Sequence, residues 1–238
     1  ANSWPRQVLR IDEHGEIIAK YFPYRPKGDV CGLGLYNNGL FIHTENEITR
    51  LPLTCPSRHG KGIAVFTPPV RIWKLLVVNN EKIIITDGKN PGNIYDYNPK
   101  TDAIRMCVEN LAYPTYVSLA HTADGPRYVI TIYGDHCLHV YDRHWRFLTS
   151  LGKFGTEDGE LMNPQATGIT NTGTVLVADW SNGRISEFTL AGDFVRHVLT
   201  QQHGVTSPEG LAYSSSHLWL TEGRTKEFAS VKCFQVAL

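Results

Sequence analysis

Short apolar runs that end in an acidic residue or a glycine recur along the chain. They are Lys82-Ile83-Ile84-Ile85-Thr86-Asp87-Gly88, Tyr128-Val129-Ile130-Thr131-Ile132-Tyr133-Gly134-Asp135, Thr174-Val175-Leu176-Val177-Ala178-Asp179-Trp180 and His217-Leu218-Trp219-Leu220-Thr221-Glu222-Gly223. A weaker copy is Gly39-Leu40-Phe41-Ile42-His43-Thr44, and successive starts are 43, 46, 46 and 43 residues apart. A period of about 40–50 residues marks one supersecondary unit used several times. No segment of about ten residues sustains a 3.6-residue apolar period, so long amphipathic helices are not expected.

The segment 163–200 predicts the unit best. Ala166 to Ile169 reads as a first strand, turned at Asn171-Thr172-Gly173-Thr174. Thr174 to Ala178 is a second strand with apolar residues on both faces, as in a strand sandwiched between layers. Gly183 to Thr189 alternates into a third, Leu190-Ala191-Gly192-Asp193 turns it, and Phe194 to Leu199 is the fourth. A lone four-stranded sheet buries little, whereas radially stacked ones bury both faces of their inner strands. The pattern therefore predicts an all-β chain: a single β-propeller domain over 1–238, built of four-stranded antiparallel blades. Inner strands near Val30, Leu75, Val117, Thr167 and Gly210 give five blades. A hairpin within 6–22, turning at His14-Gly15, is expected to join the C-terminal strands and close the ring.

Composition narrows the partners. Lys plus Arg and Asp plus Glu are 23 each, so the net charge is zero and bulk charge would not draw the chain to nucleic acid. No apolar run reaches the roughly 18 residues of a membrane helix, and no membrane partner is expected. Ala1 to Arg10 has no secretory-signal pattern. The five cysteines, Cys31, Cys55, Cys107, Cys137 and Cys233, are odd in number and scattered. No pair has CxxC spacing, so neither a zinc knuckle nor a redox pair is indicated; free thiols in a reducing compartment are the first expectation, one or two disulfides in a secreted propeller the other.

The clearest unit has a family resemblance. Leu151-Gly152-Lys153-Phe154-Gly155 leads to Gly159-Glu160-Leu161-Met162-Asn163-Pro164, then Gly168-Ile169, Val175-Leu176-Val177-Ala178-Asp179 and Asn182-Gly183-Arg184-Ile185. This resembles the NHL repeat. Ser207-Pro208-Glu209-Gly210-Leu211-Ala212 and His139-Val140-Tyr141-Asp142 are degenerate copies. The resemblance implies a propeller, usually six-bladed, of the kind that ends tripartite-motif RING ubiquitin ligases and binds RNA or a protein. It implies a cytoplasmic parent, oligomeric through a coiled coil outside this sequence. Asp179 and Arg184 are then blade-signature residues rather than catalytic ones.

No GxSxG, HExxH, P-loop or complete GxGxxG occurs, and His136, His139 and His144 do not share one strand face, so neither a catalytic set, a metal site nor a cofactor is indicated. In a propeller, the loops between second and third strands share a face with the loops between blades. Those loops carry Lys89, Tyr133, His136, Trp180, Arg224 and Lys226, with Arg71, Lys74, Tyr113, Lys153 and Phe154 from between the blades. Cations and rings on one face suit RNA or a protein hot spot. The expected ligand-binding set is Trp180, Tyr133, Arg224, Lys226, His136, Lys89, Arg71 and Tyr113. Asp87, Asp135 and Glu222 in the same loops weigh against RNA and favour a protein partner or a polar cavity rim. Two readings stand: a non-catalytic recognition module of a tripartite-motif ligase, or a free-standing propeller enzyme of lactonase or lyase type, with secretion left open.

Overall fold

The computed structural model describes residues 8–11, 17–21, 31–36, 39–52, 64–214, 216–223 and 230–237. The chain divides into two compact units, residues 1–87 with 94–106, and residues 88–93 with 107–238.

The first unit opens with β1 (Val8–Ile11), paired antiparallel to β2 (Ile17–Tyr21) in a two-stranded sheet. The expected hairpin is therefore present, although its turn lies outside the described residues. A four-stranded meander follows: β3 (Gly32–Tyr36), β4 (Gly39–His43), β5 (Ile48–Pro52) and β6 (Ala64–Phe66). The next is β7 (Lys74–Asn79), β8 (Lys82–Thr86), β9 (Gly92–Asn98) and β10 (Ala103–Leu111). Phe41, Ile48, Ile72, Leu75, Val77, Ile83, Ile85 and Tyr97 form the core of this unit.

The second unit holds three more sheets. β11 (Pro114–Thr122), β12 (Gly125–Ile132), β13 (Cys137–Tyr141) and β14 (Phe147–Leu151) form one; β15 (Pro164–Ile169), β16 (Val175–Asp179), β17 (Arg184–Phe188) and β18 (Phe194–Leu199) form the next. The last has three strands, β19 (Pro208–Ser214), β20 (His217–Glu222) and β21 (Ser230–Gln235). The count of five blade-type sheets agrees with the repeat. Helix among the described residues is confined to two single 3₁₀ turns, Tyr133–Asp135 and Gln201–His203.

Strand β16 shows how a second strand comes to be apolar on both faces. Val175 and Val177 point into one core, with Val129, Leu138, Val140 and Phe188. Leu176 and Ala178 point the other way, to Ala166, Ile185, Leu218 and Leu220. All four are fully buried, and a buried Val or Leu contributes about 1.5–3 kcal/mol. Inner strands approach closely at glycine. A Cβ on Gly168 of β15 would lie 2.4 Å from Leu211 Cδ2 on β19, and one on Gly34 of β3 would lie 2.9 Å from Val77 Cγ2 on β7.

The acidic residue that ends the second strand is a clamp. Asp179 is fully buried. Its Oδ1 accepts the Met162 amide at 2.7 Å, and its Oδ2 accepts Asn182 Nδ2 and Arg184 Nε, both at 2.8 Å. Arg184 then donates to the carbonyls of Thr156, Glu157 and Glu160, tying the loop before β15 to the end of β16. Burial pushes the Asp179 carboxyl above its usual range, while these donors pull against that rise. The next sheet repeats the device with different residues. Glu222 accepts the amides of Thr206 and Ser207 at 2.7 and 3.1 Å, and Lys232 bonds both Glu222 and the Gly204 carbonyl. The NHL-like Asp179 and Arg184 thus hold the blade together.

In the first unit His43 ends β4 with 1% exposure and donates from Nδ1 to the Thr44 carbonyl at 3.2 Å. Burial pulls its pKa down to about 4; the Thr44 bond opposes the fall and the charge of Lys74 adds to it. In the unfolded chain a histidine takes up its proton near pH ~6.5. The neutral buried ring therefore contributes fully above that pH, and its contribution is lost as pH falls towards about 4. The urea midpoint should drop between pH 7 and pH 5, and His43→Gln should remove part of that slope. An identical slope in the variant would show that His43 does not carry it.

Candidate functional site

The loops that lead into β9, β11, β13, β15 and β17 are strung together, and the string passes through residues expected from the sequence. The Tyr113 amide donates to the Lys89 carbonyl at 3.0 Å, and the Tyr133 amide donates to the Tyr113 carbonyl at 3.1 Å. Gly134 N–H reaches the Ala112 carbonyl at 3.0 Å. The turn Tyr133–Asp135 is capped by His136, whose backbone is left-handed (φ 55°, ψ 35°). The Asn163 amide donates to His136 Nδ1 at 3.0 Å, Asn163 Nδ2 donates to Ser181 Oγ at 2.8 Å, and Ser181 N–H meets the Met162 carbonyl at 3.1 Å. Trp180, half-buried, is the next residue back along the chain.

Three members of this rim, Tyr113, His136 and Asn163, have positive φ angles of 53°, 55° and 55°. Such backbone is uncommon outside glycine, more readily adopted by asparagine and histidine, and strained for a bulky tyrosine. Here each is pinned from a neighbouring loop by the bonds just described. Strain held in place by surrounding bonds is a mark of functional sites. The side chains it presents are chemically useful. Tyr113 is 44% exposed and Phe154 63% exposed. The Phe154 ring lies 4.8 Å from the His136 ring. Because a backbone amide can only donate, His136 Nδ1 is the acceptor and the proton of the neutral ring sits on Nε2.

The other sequence candidates fare differently. Lys89 is exposed and anchors the rim through its carbonyl. Arg71 belongs to the first unit, where it donates to Glu45 at 2.9 Å and lies 5.1 Å from the Trp73 ring, so its charge is already engaged. Arg224 and Lys226 lie outside the described residues. Asn163 and Ser181, absent from the expected set, join the string; the Asn163-Pro164 step into an inner strand was their one sequence signal. Among the described residues no three His, Cys, Asp or Glu side chains gather around one point suited to a metal ion.

A serine, a histidine and an aspartate also fall in line elsewhere. Ser186 Oγ lies 3.1 Å from His197 Nδ1, and His197 Nε2 lies 3.0 Å from Asp158 Oδ1. Ser186 is fully buried, and Arg184 also contacts His197 Nε2 at 3.2 Å. Burial first, then the Arg184 charge, lowers the His197 pKa. No substrate carbonyl can reach a hydroxyl sealed inside a sheet, so this string is structural.

Comparison with known proteins gives the fold. No family model matches the chain, and no curated protein matches it in sequence. Solved structures do. A protein of unknown function from Bacteroides caccae is 13% identical with a TM-score of 0.66, over 93% of this chain and 81% of that one. A catalytically inactive histidine-to-alanine variant of virginiamycin B lyase from Staphylococcus aureus, with quinupristin, is 15% identical with a TM-score of 0.66, over 98% of this chain and 78% of that one. Luciferin-regenerating enzyme is 16% identical with a TM-score of 0.61, over 89% and 81%. The chain is a five-bladed β-propeller. The NHL likeness rests on the repeat residues alone, and no comparison supports a tripartite-motif parent, a ubiquitin ligase or RNA binding. The expectation of a non-catalytic domain is corrected by these same neighbours, which include enzymes. Absence of a motif cannot exclude catalysis, because a site assembled from loops of several sheets would leave no contiguous signature.

Proposed function

We propose that the chain is a propeller enzyme of lactonase or lyase type whose active site is the rim around His136. The observation that carries this reading is the imidazole itself. Its Nδ1 is fixed by the Asn163 amide, its backbone is held left-handed, and its Nε2–H is left to serve a substrate. An ester or lactone undergoing cleavage builds negative charge on oxygen, and a positioned N–H donor stabilises that charge or protonates the departing oxygen. Asp135, exposed on the same turn, supplies a carboxylate able to take a proton. Tyr113 and Phe154 offer exposed rings against which an apolar substrate body can lie. The likeness of fold to a lyase supports the reaction class.

The test is turnover by the purified chain, with and without added divalent cations, of a panel of lactones and cyclic ester peptides, followed by mass spectrometry. Ring opening with gain of one water identifies a lactonase; ring opening at unchanged mass, with a new double bond, identifies a lyase. No turnover of any member under either condition would overturn the reading.

A further inference from the structure

The first unit contains a buried cationic N–H that finds no acceptor among the described residues. Arg50 of β5 stands directly opposite Phe41 of β4, and its guanidinium carbon lies 5.9 Å from the centre of the Phe41 ring. Directly paired residues share a sheet face, so Arg50 stands on the face whose Phe41 and Ile48 enter the core shared with β7 and β8. Gly39 makes room for it, since a Cβ there would sit 2.8 Å from Arg50 Nε. That Nε–H is buried and has no hydrogen-bond partner among the described residues. Leaving such a donor unsatisfied is costly, and more so when it carries charge.

A cavity of about 280 Å³ opens there, lined by Phe41, Arg50, Phe66, Asn80, Pro99 and Lys100. Its walls are two aromatic rings, a proline ring, one amide and two cations, with no acidic residue. The Lys100 ammonium is held at 2.7 Å by Glu81, both side chains being largely exposed. The volume is at the small end for a ligand pocket. Cations alone would suit any anion. Cations set among rings suit an anion with an apolar body, and the planar guanidinium matches a carboxylate.

We infer that this cavity binds a small organic carboxylate, its apolar body between Phe41, Phe66 and Pro99 and its carboxylate on Arg50. The inference does not depend on the activity assigned to the rim. Calorimetric titration of the intact chain with benzoate, benzamide and inorganic phosphate tests it. Benzoate should bind at one site per chain, and uncharged benzamide and ring-free phosphate should each bind at least about tenfold more weakly. Arg50→Met keeps the aliphatic stem and removes the charge; it should weaken benzoate about ten- to hundredfold. Should that variant not fold, Lys100→Glu, made at a largely exposed residue, must still weaken benzoate severalfold. The inference fails if benzoate does not bind, if benzamide or phosphate binds equally well, or if benzoate affinity is unchanged in the variants that fold.

Discussion

Asp179→Ala is expected to destabilise the protein by about 3–5 kcal/mol, the usual result of removing one partner from a buried ion pair. The lost carboxylate strands the Met162 amide, Asn182 Nδ2 and Arg184 Nε, and it leaves the Arg184 guanidinium, whose side chain is only 11% exposed, without its counter-charge. For a chain of this size each kcal/mol moves the melting temperature by about 2–4 °C, so a fall of about 10 °C is expected. Asp124→Asn, at a side chain 86% exposed and paired only loosely to Arg127 at 3.7 Å, should change it by no more than about 1 °C. Thermal melts of the two variants beside the parent decide the matter. A drop for Asp179→Ala no larger than that for Asp124→Asn would mean that the clamp does not hold the blade.

His136→Asn is expected to abolish most of the activity while sparing the fold. Asparagine tolerates left-handed backbone better than other non-glycine residues, and its side-chain oxygen can take over the bond from the Asn163 amide. What it cannot do is act as a general acid or base. Loss of a general acid or base costs about 10²–10⁴ in rate, so kcat/KM on whichever ester the panel identifies should fall by that factor. Activity within about threefold of the parent, with the melting temperature unchanged, would remove His136 from the catalytic role.

Much of the architecture could be read from the chain because, although β20 alternates between exposed and buried positions, second strands such as β8 and β16 are buried on both sides. That demand leaves an uninterrupted apolar run at Val175–Ala178 and at Ile83–Ile85, and the runs recur at the blade period. The topology of a propeller then placed Lys89, Tyr113, Tyr133 and His136 on common ground, and the hydrogen bonds among their loops join them. Other features were illegible for physical reasons. Arg71 read as a free surface cation, but its partner Glu45 is 26 residues away and nothing local announces it. The pairing of Arg50 with Phe41 depends on strand register, which a one-residue slip would abolish. The fixed tautomer of His136 depends on a backbone amide from another blade, so no motif search could contain it.

The left-handed residues of the rim have a consequence for how this protein can change. Glycine would adopt the conformation of Tyr113 or His136 without the steric cost, about 1 kcal/mol or more, borne by most residues with a Cβ, whereas asparagine, as at Asn163, already tolerates it. Selection for heat resistance alone should therefore draw glycine into positions 113 and 136, stripping the loops of side chains on which the proposed site rests. Under the proposed function, stability and activity are set against each other at these two places, and a library screened for both would find its conflict there rather than in the buried strands, where the two demands coincide.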